Sequence, residues 1–143
     1  MAPLFSPYLT LPGNAAKVFA YYREVFGGTL DLMTYGDTDT TGFPFTPPDD
    51  AVAHAQLDGG LVTLAGGDAV GEDDADPQAL ASDVYSFLIS LDSVAQAEAL
   101  IGELTARDAE IAMPFALAPW GDHYGQVRDR FGVLWALVVP GGD

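Results

Sequence analysis

SFLISLDSVAQAEALIGELTARDAEIAM, residues 86–113, reads as strand, helix and strand, and so does PYLTLPGNAAKVFAYYREVFGGTLDLM, residues 7–33. Each segment is followed by a candidate hairpin, HAQLDGGLVTLA at 54–65 and WGDHYGQVRDRFGVLWALVV at 120–139. A strand–helix–strand–strand–strand unit said twice, about 80 residues apart, predicts an α+β chain with a pseudo-two-fold axis. The expected organisation is one domain of two βαβββ modules, about 1–67 and 84–143, joined by an acidic loop at 68–83. Facing half-sheets are expected to leave a cleft between them, and that cleft is where a ligand is expected.

Working outward, both helices carry a single apolar stripe. In the first, Ala15, Val18, Phe19, Tyr22 and Phe26 recur at helical spacing, Asn14 stands at the N-cap position, and Gly27-Gly28 closes the segment. In the second, Asp92 or Ser93 can cap a helix bearing Val94, Ala97, Leu100, Ile101 and Leu104. Such stripes suit helices laid with one face on a sheet. The irregular segment GDTDTTGFPFTPPDD at 36–50 carries Phe43 and Phe45. It reads as a surface loop held down by two aromatics, with a lid or a dimer arm as the sharper alternative.

The chain has 143 residues, 49% of them apolar, enough for an ordinary core. Its formal net charge is −16, with Lys17, Arg23, Arg107, Arg128 and Arg130 as the only Lys and Arg side chains. Such a surface repels phosphate backbones and anionic lipid, so neither a nucleic-acid nor a membrane role is expected. Solubility accounts for the acidity, much of which lies around Asp49-Asp50 and in GDAVGEDDADP at 67–77, both read as solvated loops. No cysteine is present, which excludes disulfides, thiolate nucleophiles and Cys-based zinc sites. With no secretory signal and no apolar run of about 20 residues, a cytoplasmic protein is expected.

Period-two alternation sorts the hairpin residues into faces. Val52, His54, Gln56 and Asp58 oppose Ala53, Ala55 and Leu57, and the small apolar set suits the underside of a helix. His54 and Gln56 then point to the other face. His54 has two readings: a hydrogen-bonding group or general base, or a strand histidine that only ties neighbours together. Gln56 can present an amide to a ligand or link two strands. In the second hairpin Trp120, Asp122, Tyr124, Gln126 and Arg128 oppose Gly121, His123, Gly125 and Val127. Trp120, Asp122 and Tyr124 read as an aromatic wall with one carboxylate, or as an edge anchor and a turn cap. Gly121 and Gly125 mark a close backbone approach or a bulge. Arg128 and Arg130, beside Asp129, read as structural ion-pair partners, and Trp135 as a core residue beneath a helix.

The series YLTLPGN, FAYYREVFGG, LMTYGD, HAQLDGG and PWGDHYGQVRDRFGVLW resembles the PhnB-like branch of the vicinal-oxygen-chelate superfamily, also called the glyoxalase/bleomycin-resistance/dioxygenase superfamily. The resemblance implies paired βαβββ modules in a half-barrel cup that holds a small ligand, often over a divalent metal, and a homodimer. Metal-using members place His and Glu/Gln ligands on the first, fourth, fifth and eighth strands. Carried across, those positions fall on Pro7 (with Ser6 and Tyr8 as neighbours if the register slips), Thr63, Ser86 and Ala136. None is a good donor for a divalent ion. A substitute site from His54 and His123 with Asp122 or Asp58 is disfavoured, because adjacent strand residues face opposite ways. No cofactor is therefore expected, with a divalent metal disfavoured.

The candidate cup-lining residues are His54, Gln56, Thr63, Ser86, Trp120, Asp122 and Tyr124, with no catalytic residue assigned. The expected function is binding of a small organic molecule without the usual metal. The alternative is an enzyme of lyase, isomerase or dioxygenase type acting through His54 or the Trp120–Tyr124 segment. A third reading is a closed cup with the role carried by a dimer surface. Phosphate loops, dinucleotide fingerprints and a G-x-S-x-G elbow are all missing from the sequence.

Overall fold

A computed structural model describes residues 6–11, 13–37, 49–69 and 84–141. The chain divides between Gln78 and Ala79 into two compact units. In the first, β1 (Tyr8–Leu11), α1 (Ala15–Phe26), β2 (Thr29–Thr34), a short 3-10 turn at Tyr35–Asp37, β3 (Val52–Asp58) and β4 (Leu64–Asp68) follow in chain order. The second repeats the plan with β5 (Phe87–Ser90), α2 (Val94–Thr105), β6 (Glu110–Leu117), β7 (His123–Arg128) and β8 (Leu134–Val139). The sheets have orders β1-β4-β3-β2 and β5-β8-β7-β6. In each unit the first and fourth strands pair in parallel and the other pairs are antiparallel. The duplicated α+β architecture is thus the one the sequence predicts, and each sheet is open, with two edges.

In the first unit the helix stripe is buried as expected: Ala15, Val18, Phe19, Tyr22 and Phe26, with Tyr21 added. Leu9, Leu11, Ala55, Leu57 and Leu64 are buried on one face of the sheet. Burying each large apolar side chain contributes about 1.5–3 kcal/mol. The fourth strand is not LVTLA at 61–65 but Leu64–Asp68, three residues later. Two facts place it there. A side chain at Gly66 would run into the carbonyl oxygen of Leu9 and lie 3.1 Å from the Phe19 ring, so glycine lets the helix aromatic rest on the strand. Asp68, read from sequence as the start of a solvated loop, is buried and ends the strand. Its Oδ1 accepts the Ala15 N–H at 2.8 Å and its Oδ2 the Val52 N–H at 2.8 Å. The carboxylate thereby sits at the first turn of α1, where its charge is favoured, and Asn14 makes no side-chain capping bond.

A second departure concerns β3. Met33 pairs with His54 but Thr34 with Val52, so Ala53 is the extra residue of a bulge. Val52 is thereby buried instead of sharing the His54 face. The loop at 36–50 is closed at its base by Tyr35 N–H to Ala51 O at 2.9 Å and Gly36 N–H to Asp49 O at 2.8 Å. Phe43 and Phe45 lie outside the described residues, as does 70–83 of the acidic loop.

In the second unit Ser93 caps α2, its Oγ accepting the Gln96 N–H at 3.1 Å, while Gln96 Oε1 accepts the Asp92 N–H at 3.0 Å. Ala97, Leu100 and Leu104 are buried. Trp135 is 1% exposed, as its place in β8 predicts. Its indole N–H donates to Asp129 Oδ2 at 2.8 Å, and Asp129 Oδ1 accepts the N–H groups of Phe131 (2.8 Å) and Val133 (3.1 Å). Asp129 is buried, so the β7–β8 turn is organised by a carboxylate at its centre. Arg128 donates to Gly132 O at 2.9 Å, and Arg130 lies over the Phe131 ring at 5.2 Å. β6 carries two register shifts against β7, between Ile111 and Met113 and between Met113 and Ala116. A Cβ on Gly125 would stand 2.7 Å from Phe115 Cα, which is the close approach the glycine was read to mark.

Candidate functional site

Directly paired residues of a sheet project to the same face, so the register assigns every side chain. In the first unit the face away from α1 carries Tyr8 and Thr10 of β1, Ala65 of β4, His54 and Gln56 of β3, and Asp31 and Met33 of β2. Tyr8 is 58% exposed, and its ring lies 6.4 Å from that of His54, tilted by 33°. His54 is exposed and lies on the helix-free face, as alternation predicts. Gln56 Nε2 donates to Asp58 Oδ1 at 3.2 Å. Thr63 precedes β4, because that strand starts later than expected, and its carbonyl accepts Ser6 Oγ–H at 3.3 Å.

The helix-free face of the second unit carries Leu88 and Ser90 of β5, Leu134, Ala136 and Val138 of β8, Tyr124, Gln126 and Arg128 of β7, and Met113 and Ala116 of β6. β7 begins at His123, so Trp120 and Asp122 stand in the preceding turn, not on the strand. That turn is closed by Gly121 N–H to Ala118 O at 3.0 Å and Ala118 N–H to Asp122 O at 2.7 Å. Trp120 still reaches the strand: its ring centroid is 6.3 Å from that of Tyr124 at 63°, and it is 67% exposed. Asp122 does not join them. Its Oδ1 accepts the Gly141 N–H at 2.8 Å, so it fastens the chain beyond β8. Ser86 precedes β5 and is exposed. Sequence reasoning passed over Tyr8 and Gln126 as candidates. Period two measured from Leu9 and from Tyr124 would have found both.

The same register tests the positions expected to hold a metal. Pro7 precedes β1, and its neighbour Tyr8 takes the helix-free position. On the first sheet the paired outward residues of β1 and β4 are Tyr8–Ala65 and Thr10–Gly67, and on the second those of β5 and β8 are Leu88–Ala136 and Ser90–Val138. The oxygen donors among them are the hydroxyls of Tyr8, Thr10 and Ser90, with none of the carboxylate or imidazole groups that divalent ions favour. His123, offered as part of a substitute site, lies on the helix side of its sheet and stacks on Phe115 at 5.9 Å. Among the described residues no three His, Cys, Asp or Glu side chains come together.

Two βαβββ units, each a four-stranded sheet with its first and fourth strands parallel, define the vicinal-oxygen-chelate class of α+β proteins. The family model of the Glyoxalase/Bleomycin resistance protein/Dioxygenase superfamily matches residues 7–137, and the chain belongs to that superfamily. It is 33% identical over 148 residues to Protein YjdN of Escherichia coli (strain K12), covering 94% of this chain and 93% of that protein. The crystal structure of protein PA1353 from Pseudomonas aeruginosa superposes with a TM-score of 0.75 at 29% identity, over 99% of this chain and 100% of that one. The PhnB protein from Bacillus cereus shares the fold at a TM-score of 0.68 and 18% identity, over 96% and 99% of the two chains. The PhnB-like branch indicated by the sequence agrees with these relatives. No helix among the described residues is long and apolar enough to cross a membrane.

Proposed function

We propose that this protein binds a small organic molecule on a helix-free sheet face, without the divalent ion that metal-using members of the superfamily hold. One observation carries the reading: the helix-free face of the first sheet exposes Tyr8 and Met33 around the polar groups His54 and Gln56. That is the composition of a small-molecule site, in which apolar contact supplies affinity and sparse polar groups fix orientation. The strand positions where a metal would be held offer no carboxylate or imidazole, which favours binding over ion-assisted chemistry. A thermal-shift screen of small aromatic and cationic compounds, with recovery of each stabilising compound, tests this. Stabilisation by a compound recovered unchanged is the expected result. Conversion of that compound, or stoichiometric metal whose chelation abolishes binding, overturns it.

A homodimer belongs to the same proposal. The superfamily resemblance implies it, and Ile111 and Leu117 on the edge strand β6 leave apolar surface exposed of the kind a second copy would cover. Light scattering on the eluting protein is expected to give twice the 15.0 kDa chain mass. A cytoplasmic location completes the proposal.

A further inference from the structure

The helix-free face of the first sheet has a low floor between two walls. Tyr8, Ala65 and Gln56 pair across β1, β4 and β3. One outward step along, Thr10 pairs with Gly67, and His54 stands two residues before Gln56. The middle strand therefore offers this face only a methyl group and a glycine, between two strands that carry rings. Those outer strands lie two ladder steps apart, about 9.5 Å, and Tyr8 and His54 are offset along them as well. Their ring centroids are nevertheless 6.4 Å apart, so the side chains lean toward each other over the β4 floor. Both are exposed, whereas Ala65 and Gly67 are buried.

At 6.4 Å and a tilt of 33° the two rings are neither edge-on nor in overlapping face contact, so each presents a face that the other does not cover. A flat guest in face contact with both needs about 7 Å between them, and rotation of two exposed side chains supplies that. The duplicated unit gives an internal comparison. Its matching rungs are Leu88–Ala136–Gln126 and Ser90–Val138–Tyr124, so Val138 raises the floor and Leu88 replaces one ring. The paired rings over a glycine floor thus belong to the first sheet.

Gln56 adds a direction. Its Nε2 donates to Asp58 Oδ1 at 3.2 Å, and an ionised carboxylate only accepts, so the amide nitrogen is turned to Asp58 and Oε1 is its accepting end. Asp31, exposed and paired with Gln56 across β2, places a negative charge on the same face. We infer that this slot takes a flat aromatic ligand with an N–H donor on its edge, its faces against Tyr8 and His54 and its edge donating to Gln56 Oε1. This rests on the small-molecule reading above and names its ligand class. Ring faces on both sides select flatness, an acceptor at the edge selects a donor, and Asp31 on a chain of net charge −16 favours a donor that carries positive charge.

The test titrates the full chain, its histidines labelled with ¹³C and ¹⁵N, at fixed pH with 2-aminoquinoline, quinoline and decahydroquinoline. The first is flat and donates, the second is flat without an N–H, and the third donates but has lost its flat rings. His54 and His123 are the only histidines, and His123 lies on the helix side of its own sheet, so its ring is the internal control. 2-Aminoquinoline is expected to shift the His54 ring signals and leave those of His123 in place. It is expected to bind at least about tenfold more tightly than decahydroquinoline, from stacking, and than quinoline, from the hydrogen bond. Tyr8→Ala and His54→Ala each remove one wall and are expected to weaken 2-aminoquinoline by about tenfold. Gln56→Met is expected to bring it down to the level of quinoline. Ala65→Leu raises the floor and is expected to abolish binding; where it fails to fold, the variants at exposed Tyr8 and His54 decide. Decahydroquinoline binding as well as 2-aminoquinoline, an unmoved His54 ring, or wall variants that bind undiminished overturn the inference and leave the small-molecule reading standing. Failure of all three probes while the thermal-shift screen finds another ligand does the same, and failure of both experiments overturns both readings.

Discussion

At the scale of single residues, two buried carboxylates set the local geometry. Asp129 accepts from two backbone N–H groups and an indole, and all three donors lose water when the β7–β8 turn forms. Asp129→Asn replaces an acceptor oxygen by a donor that faces one of these groups. It is expected to cost about 1–3 kcal/mol of unfolding free energy, measured by urea denaturation. Gly125→Ala has a different mechanism. The added methyl meets the Phe115 backbone at 2.7 Å, which a strand cannot relieve by rotating a side chain. A loss of about 1–3 kcal/mol in the same assay is expected. Gly125 was legible in the sequence as a place of close approach. Asp68 was not, since an aspartate within an acidic run looks solvated until the strand before it is located. His54 shows the limit from the other side: alternation gave its face, but no local pattern shows that its ring lies beside Tyr8.

At the scale of elements, the two helices begin by different devices although they are copies in plan. α2 is capped by its own Ser93 and Gln96, whereas α1 takes the Asp68 carboxylate from β4. Ser93→Ala is therefore expected to cost about 1 kcal/mol, and Asn14→Ala less than about 0.5 kcal/mol, because its side chain makes no capping bond. A loss at Asn14 as large as that at Ser93 would contradict this assignment. The helix stripes and most strands were readable because periodicity is a local property. The fourth strand was misplaced because LVTLA has the residues strands favour and LAGGD does not. What places LAGGD in the sheet is the Phe19 ring above Gly66 and the two amides that need Asp68, contacts of long sequence separation. Ser86, Trp120 and Asp122 fell outside strands for a related reason: each lies within a few residues of a strand end, where alternation stops.

At the scale of the whole molecule, duplication was the feature most readily seen in the sequence, since it needs only order and spacing. The candidate site was legible as a face and not as a set of contacts: His54, Gln56, Trp120 and Tyr124 are placed on or beside the helix-free faces, whereas Thr63 and Asp122 serve the backbone. The charge also acts at this scale. A net charge of −16 on a chain of this size repels itself in the folded state. Raising sodium chloride from low to moderate ionic strength is therefore expected to raise the melting temperature, as screening shortens the reach of that repulsion. A melting temperature that falls with added salt would contradict it. The two indoles also lie in unlike surroundings: Trp135 is locked in the core by Asp129, and Trp120 stands exposed beside Tyr124. The protein consequently carries two intrinsic optical probes. Acrylamide, a neutral quencher the acidic surface does not repel, is expected to extinguish the Trp120 emission in the native state and reach Trp135 only after unfolding, so the integrity of the core can be followed in one cuvette without a dye.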